Sequence, residues 1–242
     1  MGIEYAREVR DPDLSVVVPS VPDYDHGPTV ACLDAQSVDV PYEVLVVNDA
    51  SVDRSVARNR GLEAADAPVV ALTDDDTRPP SDWLATARRE FSDPELVCLE
   101  GRVYGGCRSL GPGHYVGCNL TVRREAALDV GGFRSAFSEW REDVEFGWRM
   151  EARADGDCRY CEEFRMCHPS VPRTPFDPDL ERRLRREYPD RYAEVMDATL
   201  SKRLRRRTRA LGLTQPPQRV LNRIRRALGT TCYERDVDRR GT

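Results

Sequence analysis

Four short apolar runs punctuate the first hundred residues: 14–19 (LSVVVP), 42–48 (YEVLVVN), 69–73 (VVALT) and 96–100 (LVCLE). Each is rich in Val and Leu and nearly continuous in apolar character, the pattern of strands covered on both faces. Between them the hydrophobic period lengthens to that of helices. Residues 29–37 form one such stretch and residues 55–65 another, the second with Val56, Ala57, Leu62 and Ala65 on one side. Pro79-Pro80 ahead of Ser81-Asp82-Trp83-Leu84 marks the start of a third helix over 81–91. Alternating strands and helices imply an α/β fold built on a parallel sheet with right-handed crossovers. Ligands of such sheets sit beyond the carboxyl ends of the strands.

The pattern changes after residue 100. Six glycines between 101 and 117 make a loop-rich region able to wrap a ligand. Residues 115–123 then read as a strand, 124–130 as a short helix stopped by Gly131-Gly132, 142–154 as a longer helix and 158–167 as a last strand. Beyond Pro178 the chain is helical and basic, interrupted at Pro189 and again at Pro216-Pro217. The division is an α/β unit over residues 1–175 and a helical, arginine-rich extension over 176–242.

Charge sharpens that division. Residues 178–242 carry a net charge of +9, while residues 1–177 carry −14. Within the extension, Leu180, Leu184, Tyr188 and Tyr192 recur about every four residues, a stripe expected to pack on the core. Val220, Leu221, Ile224 and Leu228 form a second stripe, flanked by Arg219, Arg223, Arg225 and Arg226. A basic amphipathic helix over 217–228 predicts peripheral contact with an anionic membrane surface. No apolar run approaches the ~20 residues of a spanning helix. The charged first twelve residues do not read as a signal peptide, which predicts a cytoplasmic location.

Lys202 is the sole lysine among 37 basic residues. That excludes a Walker-type phosphate loop and Schiff-base chemistry within the α/β unit, since both need a lysine there. Among the eight cysteines, Cys158, Cys161, Cys167 and His168 cluster. Cys158 and Cys161 have the spacing of half a zinc knuckle, but the adjacent pair Cys167-His168 closes a tetrahedron poorly. Buried strand cysteines without structural zinc are the expectation.

Two acidic groups follow strands on the same predicted sheet edge: Asp49, and the run Asp74-Asp75-Asp76. Three consecutive carboxylates repel one another, and a divalent cation resolves the conflict; hard oxygen ligands suit Mn2+ or Mg2+. Strand alternation would turn Asp74 and Asp76 toward one ligand. Glu142-Asp143 opens a helix, where the dipole and free N–H groups keep a carboxylate ionised and able to act as a general base.

At these residues the chain resembles the family 2 glycosyltransferases. The pieces that carry the resemblance occur in the family's order: LSVVVP from Leu14, VVNDASVD from Val46, ARNRG from Ala57, LTDDDTRPP from Leu72 with Asp82-Trp83-Leu84, GCNLTVRR from Gly117, VGGF from Val130 and REDVEFGWR from Arg141. Together they span about residues 14–170. The resemblance implies a GT-A fold: a single Rossmann-like nucleotide-binding domain over 1–175, with a mixed, mainly parallel sheet and the helical basic tail appended. It implies a metal-dependent, inverting transfer of a hexose from a nucleotide-diphosphate sugar to the hydroxyl of a glycan or lipid-linked acceptor, with no nucleic acid as partner. UDP-sugars are favoured as donors and GDP-sugars are the alternative.

Carried over residue by residue, the resemblance places Pro19, Asp49, Arg58, Asp74 and Asp75 on the nucleotide. It places Asp74, Asp76 and His168 on Mn2+ or Mg2+, Asp143 as the base with Glu142 beside it, and Asn119 and Trp140 on the acceptor side. The chain departs from the family at Pro19-Ser20-Val21-Pro22, where Pro-Thr-Tyr-Asn is usual, and at Asn48 and Ala50, where Asp and Gly are commoner. Two other readings have different signatures. A sugar nucleotidyltransferase favours a Gly-rich loop with Arg and Lys after the first strand, which this chain lacks. A non-catalytic module that binds sugar nucleotides would not need the Glu142-Asp143 pair.

Overall fold

The computed structural model describes residues 2–22, 24–106, 111–138, 140–170 and 176–197. Its strands are β1 (Ile3–Arg7), β2 (Leu14–Ser20), β3 (Tyr42–Asn48), β4 (Val69–Leu72), β5 (Leu96–Gly105), β6 (Leu120–Arg123) and β7 (Asp157–His168). The helices are α1 (Gly27–Asp34), α2 (Arg54–Ala64), α3 (Trp83–Glu90), α4 (Arg124–Asp129), α5 (Glu142–Arg153), α6 (Pro178–Glu187) and α7 (Pro189–Val195). One sheet takes all seven strands in the order β1-β3-β2-β4-β6-β5-β7. The pairs β2–β3, β2–β4 and β5–β7 are parallel, whereas β6 runs antiparallel to both β4 and β5.

The apolar runs become this sheet because both of its faces are covered. All seven residues of β2 are buried. Val17 faces one core, with Leu62 of α2 and with Val144, Phe146 and Trp148 of α5. Val16 and Val18 face the other, with Leu33 of α1 and Trp83, Leu84 and Ala87 of α3. Helix α2 starts where Asp53 accepts a hydrogen bond from the Val56 N–H at 3.0 Å. It lies so close to β2 that a Cβ at Gly61 would stand 2.2 Å from Val17 Cγ1.

Three elements differ from the sequence expectation. β1 has no apolar run to announce it: Glu4, Tyr5 and Ala6 are exposed, and it holds its place as an antiparallel edge strand on β3. The strand expected over 115–123 is confined to Leu120–Arg123, because residues 117–119 turn around a buried Asn119 whose N–H returns to the Val116 carbonyl at 2.8 Å. Pro189 does not merely interrupt the extension; it opens α7 in the first turn, where its missing N–H leaves nothing unpaired.

Three of the four residues in the first stripe of the extension pack as expected: Leu184 and Tyr192 lie in the core and Tyr188 packs against it, while Leu180 stays half-buried outside it. Leu184, Tyr192, Val195 and Met196 join the same core as α5. Trp148 meets Tyr188 and Tyr192 edge-on, with ring centroids 5.8 and 6.4 Å away. Residues 178–196 therefore complete the hydrophobic core of the α/β unit. The stripe over 217–228 lies outside the described residues. Among the described residues no helix is long and apolar enough to cross a membrane.

If α6 is part of the core, Leu184→Ala should destabilise the protein by ~2–5 kcal/mol, the range for truncating a buried leucine. Urea unfolding followed by far-ultraviolet circular dichroism reads this. A variant as stable as the parent would show that α6 rests on the core without contributing to it.

Candidate active site

The acidic run closes β4 in a tight turn tied from several sides. Thr77 donates through Oγ1 to the Asp74 carbonyl at 2.8 Å, and Thr29 Oγ1 donates to the carbonyls of Asp75 at 2.6 Å and Thr77 at 2.9 Å. The Arg78 N–H reaches the Cys167 carbonyl at 2.8 Å, which fastens the turn to the end of β7. Asp75 turns back to β2 and accepts from Ser20 Oγ at 2.9 Å. Asp74 and Asp76 instead lie toward β7. That separation comes from the turn, not from the alternation of an extended strand.

Arg58 of α2 organises what lies beside Asp74. It is 1% exposed, and its guanidinium donates to Asp74 Oδ1 at 3.0 Å and to Glu142 Oε1 at 3.0 Å. Arg54 adds a second donor to Glu142 Oε1 at 3.1 Å. Burial alone would raise the Asp74 carboxyl, but the charges of Arg58 and Arg54, with the Arg58 hydrogen bond, outweigh it and hold the carboxyl below its ordinary value. Gly117 borders this ion pair, and a Cβ there would stand 2.5 Å from the Arg58 guanidinium.

Unlike Glu142 and Asp74, Asp143 has no arginine bonded to it among the described residues. It accepts from the Gly117 N–H at 2.9 Å and from its own helix at Val144 N–H at 2.8 Å. Burial, then the charge of Glu142, push its pKa to about 6 despite those two donors and Arg58. The helix start thus does not dominate as the sequence suggested. A pKa of about 6 still leaves the group mainly ionised at pH 7 and close enough to neutrality to take a proton.

The turn that presents Asp143 is strained and clamped. Arg141, just ahead of α5, has φ 69° and ψ 17°, a left-handed conformation uncommon outside glycine. Glu181 of α6 holds it by accepting from Arg141 Nε at 3.1 Å, and accepts from Trp140 Nε1 at 2.7 Å on the same oxygen. Its other oxygen accepts from Tyr192 O–H at 2.8 Å. Nothing in the sequence around Glu181 resembles a catalytic motif. Only the packing of α6 shows its role.

A possible cation site forms where β4, β6 and β7 reach the same sheet edge. His168 Nδ1 lies 3.0 Å from the Ser170 carbonyl, an acceptor only, so Nδ1 carries the proton and Nε2 of the neutral ring carries a lone pair. Nε2 faces Asp76 Oδ1 at 3.4 Å. Two lone pairs opposed at that distance need a second ring proton or a metal ion between them. Donor atoms of Asp74, Cys118 and His168 also lie within 4.8 Å of one another. The residues present therefore fit a divalent cation, and Cys118 joins them unforeseen.

Several expected roles change. Arg58 is buried beneath the ion pairs and cannot touch a base; it positions Asp74 and Glu142. Glu142 is 3% exposed and bound by two arginines, so it is a structural anion and not a second base. Asn119 is fully buried, accepting from Trp83 Nε1 at 2.8 Å and donating to the carbonyls of Phe164 at 2.9 Å and Arg102 at 3.2 Å, so it cannot meet an acceptor. Trp140 is partly exposed with its N–H committed to Glu181. Pro19 is buried at the end of β2 beside Val47. Asp49 stays at the end of β3, where hydrogen bonds from Ser51 and then Arg60 lower its pKa to about 2. Cys158 and Cys161 pack into different cores, on opposite faces of the sheet.

No family model matches the chain. Over 121 residues it is 27% identical to the glucosyl-dolichyl phosphate glucuronosyltransferase of Haloferax volcanii, a match covering 39% of each protein. The chain thus spans about two fifths of that relative. Among solved structures it is similar to S. aureus TarS, with TM-score 0.56 and 15% identity, covering 74% of this chain and 40% of that one. A form of TarS in complex with UDP-GlcNAc gives TM-score 0.57 and 15% identity over 76% and 73% of the two chains. Mannosyltransferase PcManGT from Pyrobaculum calidifontis, in complex with GDP-Man and Mn2+, gives 0.55 and 16% over 94% and 83%. The fold is that of the GT-A glycosyltransferases, in agreement with the resemblance carried by the motifs.

A carboxyl whose folded pKa lies above its unfolded value binds its proton more tightly in the folded state. Asp143 therefore subtracts stability as pH rises from 3.8 to about 6. Asp143→Asn should remove that loss, so the variant gains stability relative to the parent on going from pH 4 to pH 7. Urea unfolding of both proteins at the two pH values measures the difference. Parallel pH dependences would place the Asp143 pKa near its ordinary value.

Proposed function

We propose that the protein is an inverting, metal-dependent glycosyltransferase that moves a sugar from a nucleotide-diphosphate donor to an acceptor hydroxyl. The carrying observation is the buried Arg58, bonded at once to Asp74 of the acidic turn and to Glu142 beside Asp143. It supports a single site that joins the cation-binding edge and the base. PcManGT in complex with GDP-Man and Mn2+, and TarS in complex with UDP-GlcNAc, support donors of this class. The dolichyl phosphate in the name of the Haloferax relative supports a lipid-linked acceptor.

Asp74, Asp76 and His168 would hold Mn2+ or Mg2+. When bound, such an ion neutralises the leaving diphosphate and the charge building on it. Asp49 and Asp75 accept hydrogen bonds from the nucleoside, with Pro19 bounding the base. UDP-sugars are favoured as donors, with GDP-sugars the alternative. The Asp143 carboxylate takes the proton from the acceptor hydroxyl as that oxygen attacks the anomeric carbon. One displacement inverts the configuration, and no covalent nucleophile is needed. Trp140, partly exposed and three residues ahead of Asp143, would meet the acceptor. The basic stripe over 217–228 would bring the site to the cytoplasmic face of a membrane.

Two substitutions test this reading. Asp76→Ala should abolish the Mn2+-dependent part of UDP or GDP binding while the circular dichroism spectrum stays that of the parent. Isothermal calorimetry with and without Mn2+ reads it, and unchanged metal-dependent affinity removes Asp76 from the cation site. Asp143→Asn should leave donor binding intact and lower transfer by roughly 10²–10⁴-fold. Near-normal transfer in that variant places the base elsewhere.

A further inference from the structure

Three strands bring unlike donors to one edge. Asp74 follows the carboxyl end of β4, and His168 ends β7. Strand β6 runs the other way, so the residues that precede it sit at this same edge; Leu120 pairs with Leu72, the last residue of β4. Cys118 is two residues ahead of that pair. It is 1% exposed, carries a thiol outside any disulfide, and puts Sγ within 4.8 Å of both an Asp74 oxygen and a His168 nitrogen.

Its surroundings hold it there. Gly117 is bonded through its N–H to Asp143 and packs on the Arg58 guanidinium. Asn119 is pinned by Trp83, Phe164 and Arg102. The residue on each side of Cys118 is thus fixed by buried polar contacts, which hold the Cys118 backbone at this edge. Oxygen, sulfur and nitrogen donors at the ends of three separate strands are a set for a borderline ion, not for a purely hard one. The His168 Nδ1–H bond to Ser170 supplies the outer hydrogen bond that orients a metal-binding imidazole.

We propose that Cys118 supplies a thiolate ligand to the cation site, so that Asp74, Cys118 and His168 bind Zn2+, Co2+ or Cd2+ in preference to Mn2+. The inference deepens the proposed cation site and rests on that reading. Its consequence is a metal choice made by the protein: Zn2+ displaces Mn2+ from Asp74 and His168 and competes with the diphosphate-bearing donor. On binding, the Cys118 S–H proton passes to solvent and the sulfur lone pair forms the metal–sulfur bond.

The test is titration of the metal-free full-length chain with Co2+, followed by absorption spectroscopy. A near-ultraviolet sulfur-to-cobalt charge-transfer band should grow to one equivalent and bleach when Zn2+ is added. The band should vanish in Cys118→Ser and in Cys118→Ala, and persist in Cys32→Ser and Cys167→Ser, each checked for parent-like circular dichroism. Bound Co2+ without the band, or a band surviving in Cys118→Ser, overturns the sulfur ligand. Calorimetry of UDP and GDP with Mn2+ on the same parent sample separates the two readings. Mn2+-dependent nucleotide binding without a sulfur band leaves the transferase reading standing and this inference overturned. A Cys118-dependent band without nucleotide binding supports the metal site and removes the transferase reading.

Discussion

A single buried guanidinium sets the conditions for everything around it. Arg58 gives up its hydration almost completely, and a charge in that position persists only with good partners. Asp74 and Glu142 are those partners. Because the first follows β4 and the second opens α5, one side chain ties the parallel part of the sheet to the helix that follows its antiparallel insertion. Removing either carboxylate would leave a buried positive charge bonded to only one of them. Removing Arg58 would leave two carboxylates facing each other beside Asp143. The lack of a side chain at Gly117 belongs to the same constraint, since a Cβ would enter the guanidinium's space.

The division of labour between Glu142 and Asp143 follows. The two are adjacent in sequence and begin the same helix, yet their surroundings differ. Glu142 is bonded by Arg54 and Arg58, whereas among the described residues Asp143 receives only backbone donors and feels the charge of its neighbour. One carboxylate is spent on architecture, and the other is left with a raised pKa suited to proton transfer. The left-handed Arg141 ahead of them is a conformation of order 1–3 kcal/mol above the ordinary basins, and it persists because the surroundings over-determine it. Glu181 provides that restraint from α6, and the ring of the adjacent Trp140 lies under the Arg141 guanidinium. The helices after the sheet are therefore joined to the candidate site as well as to the core.

Strand direction explains the rest of the edge. Parallel strands send only their carboxyl ends to the site, which accounts for Ser20, Asp49, the acidic turn and His168. The reversed β6 sends its amino end, and with it Gly117, Cys118 and Asn119. Two of these brace Arg58 and the sheet, and the third adds sulfur to a set of oxygen and nitrogen donors. An all-parallel sheet would not have produced that combination.

Much of this was legible from local pattern. Continuous apolar runs announced β2, β3, β4 and the first half of β5, because a strand buried on both faces must be apolar nearly throughout. The acidic turn and the Glu142-Asp143 pair stood out because clustered like charges are costly unless something answers them. β1 escaped notice since an exposed edge strand needs no apolar run, and Asn119 was misread because an amide looks the same in sequence whether it faces solvent or three buried partners. The surroundings of Arg58, Glu181 and Cys118 were decided only in three dimensions. Each depends on partners between 11 and 84 residues away, brought close by sheet order and helix packing. Sequence by itself determines periodicity, capping and the presence of reactive groups, which are local properties of the chain. Which of those groups are buried, paired or left to react is set by desolvation and proximity, and these exist only once the chain has folded.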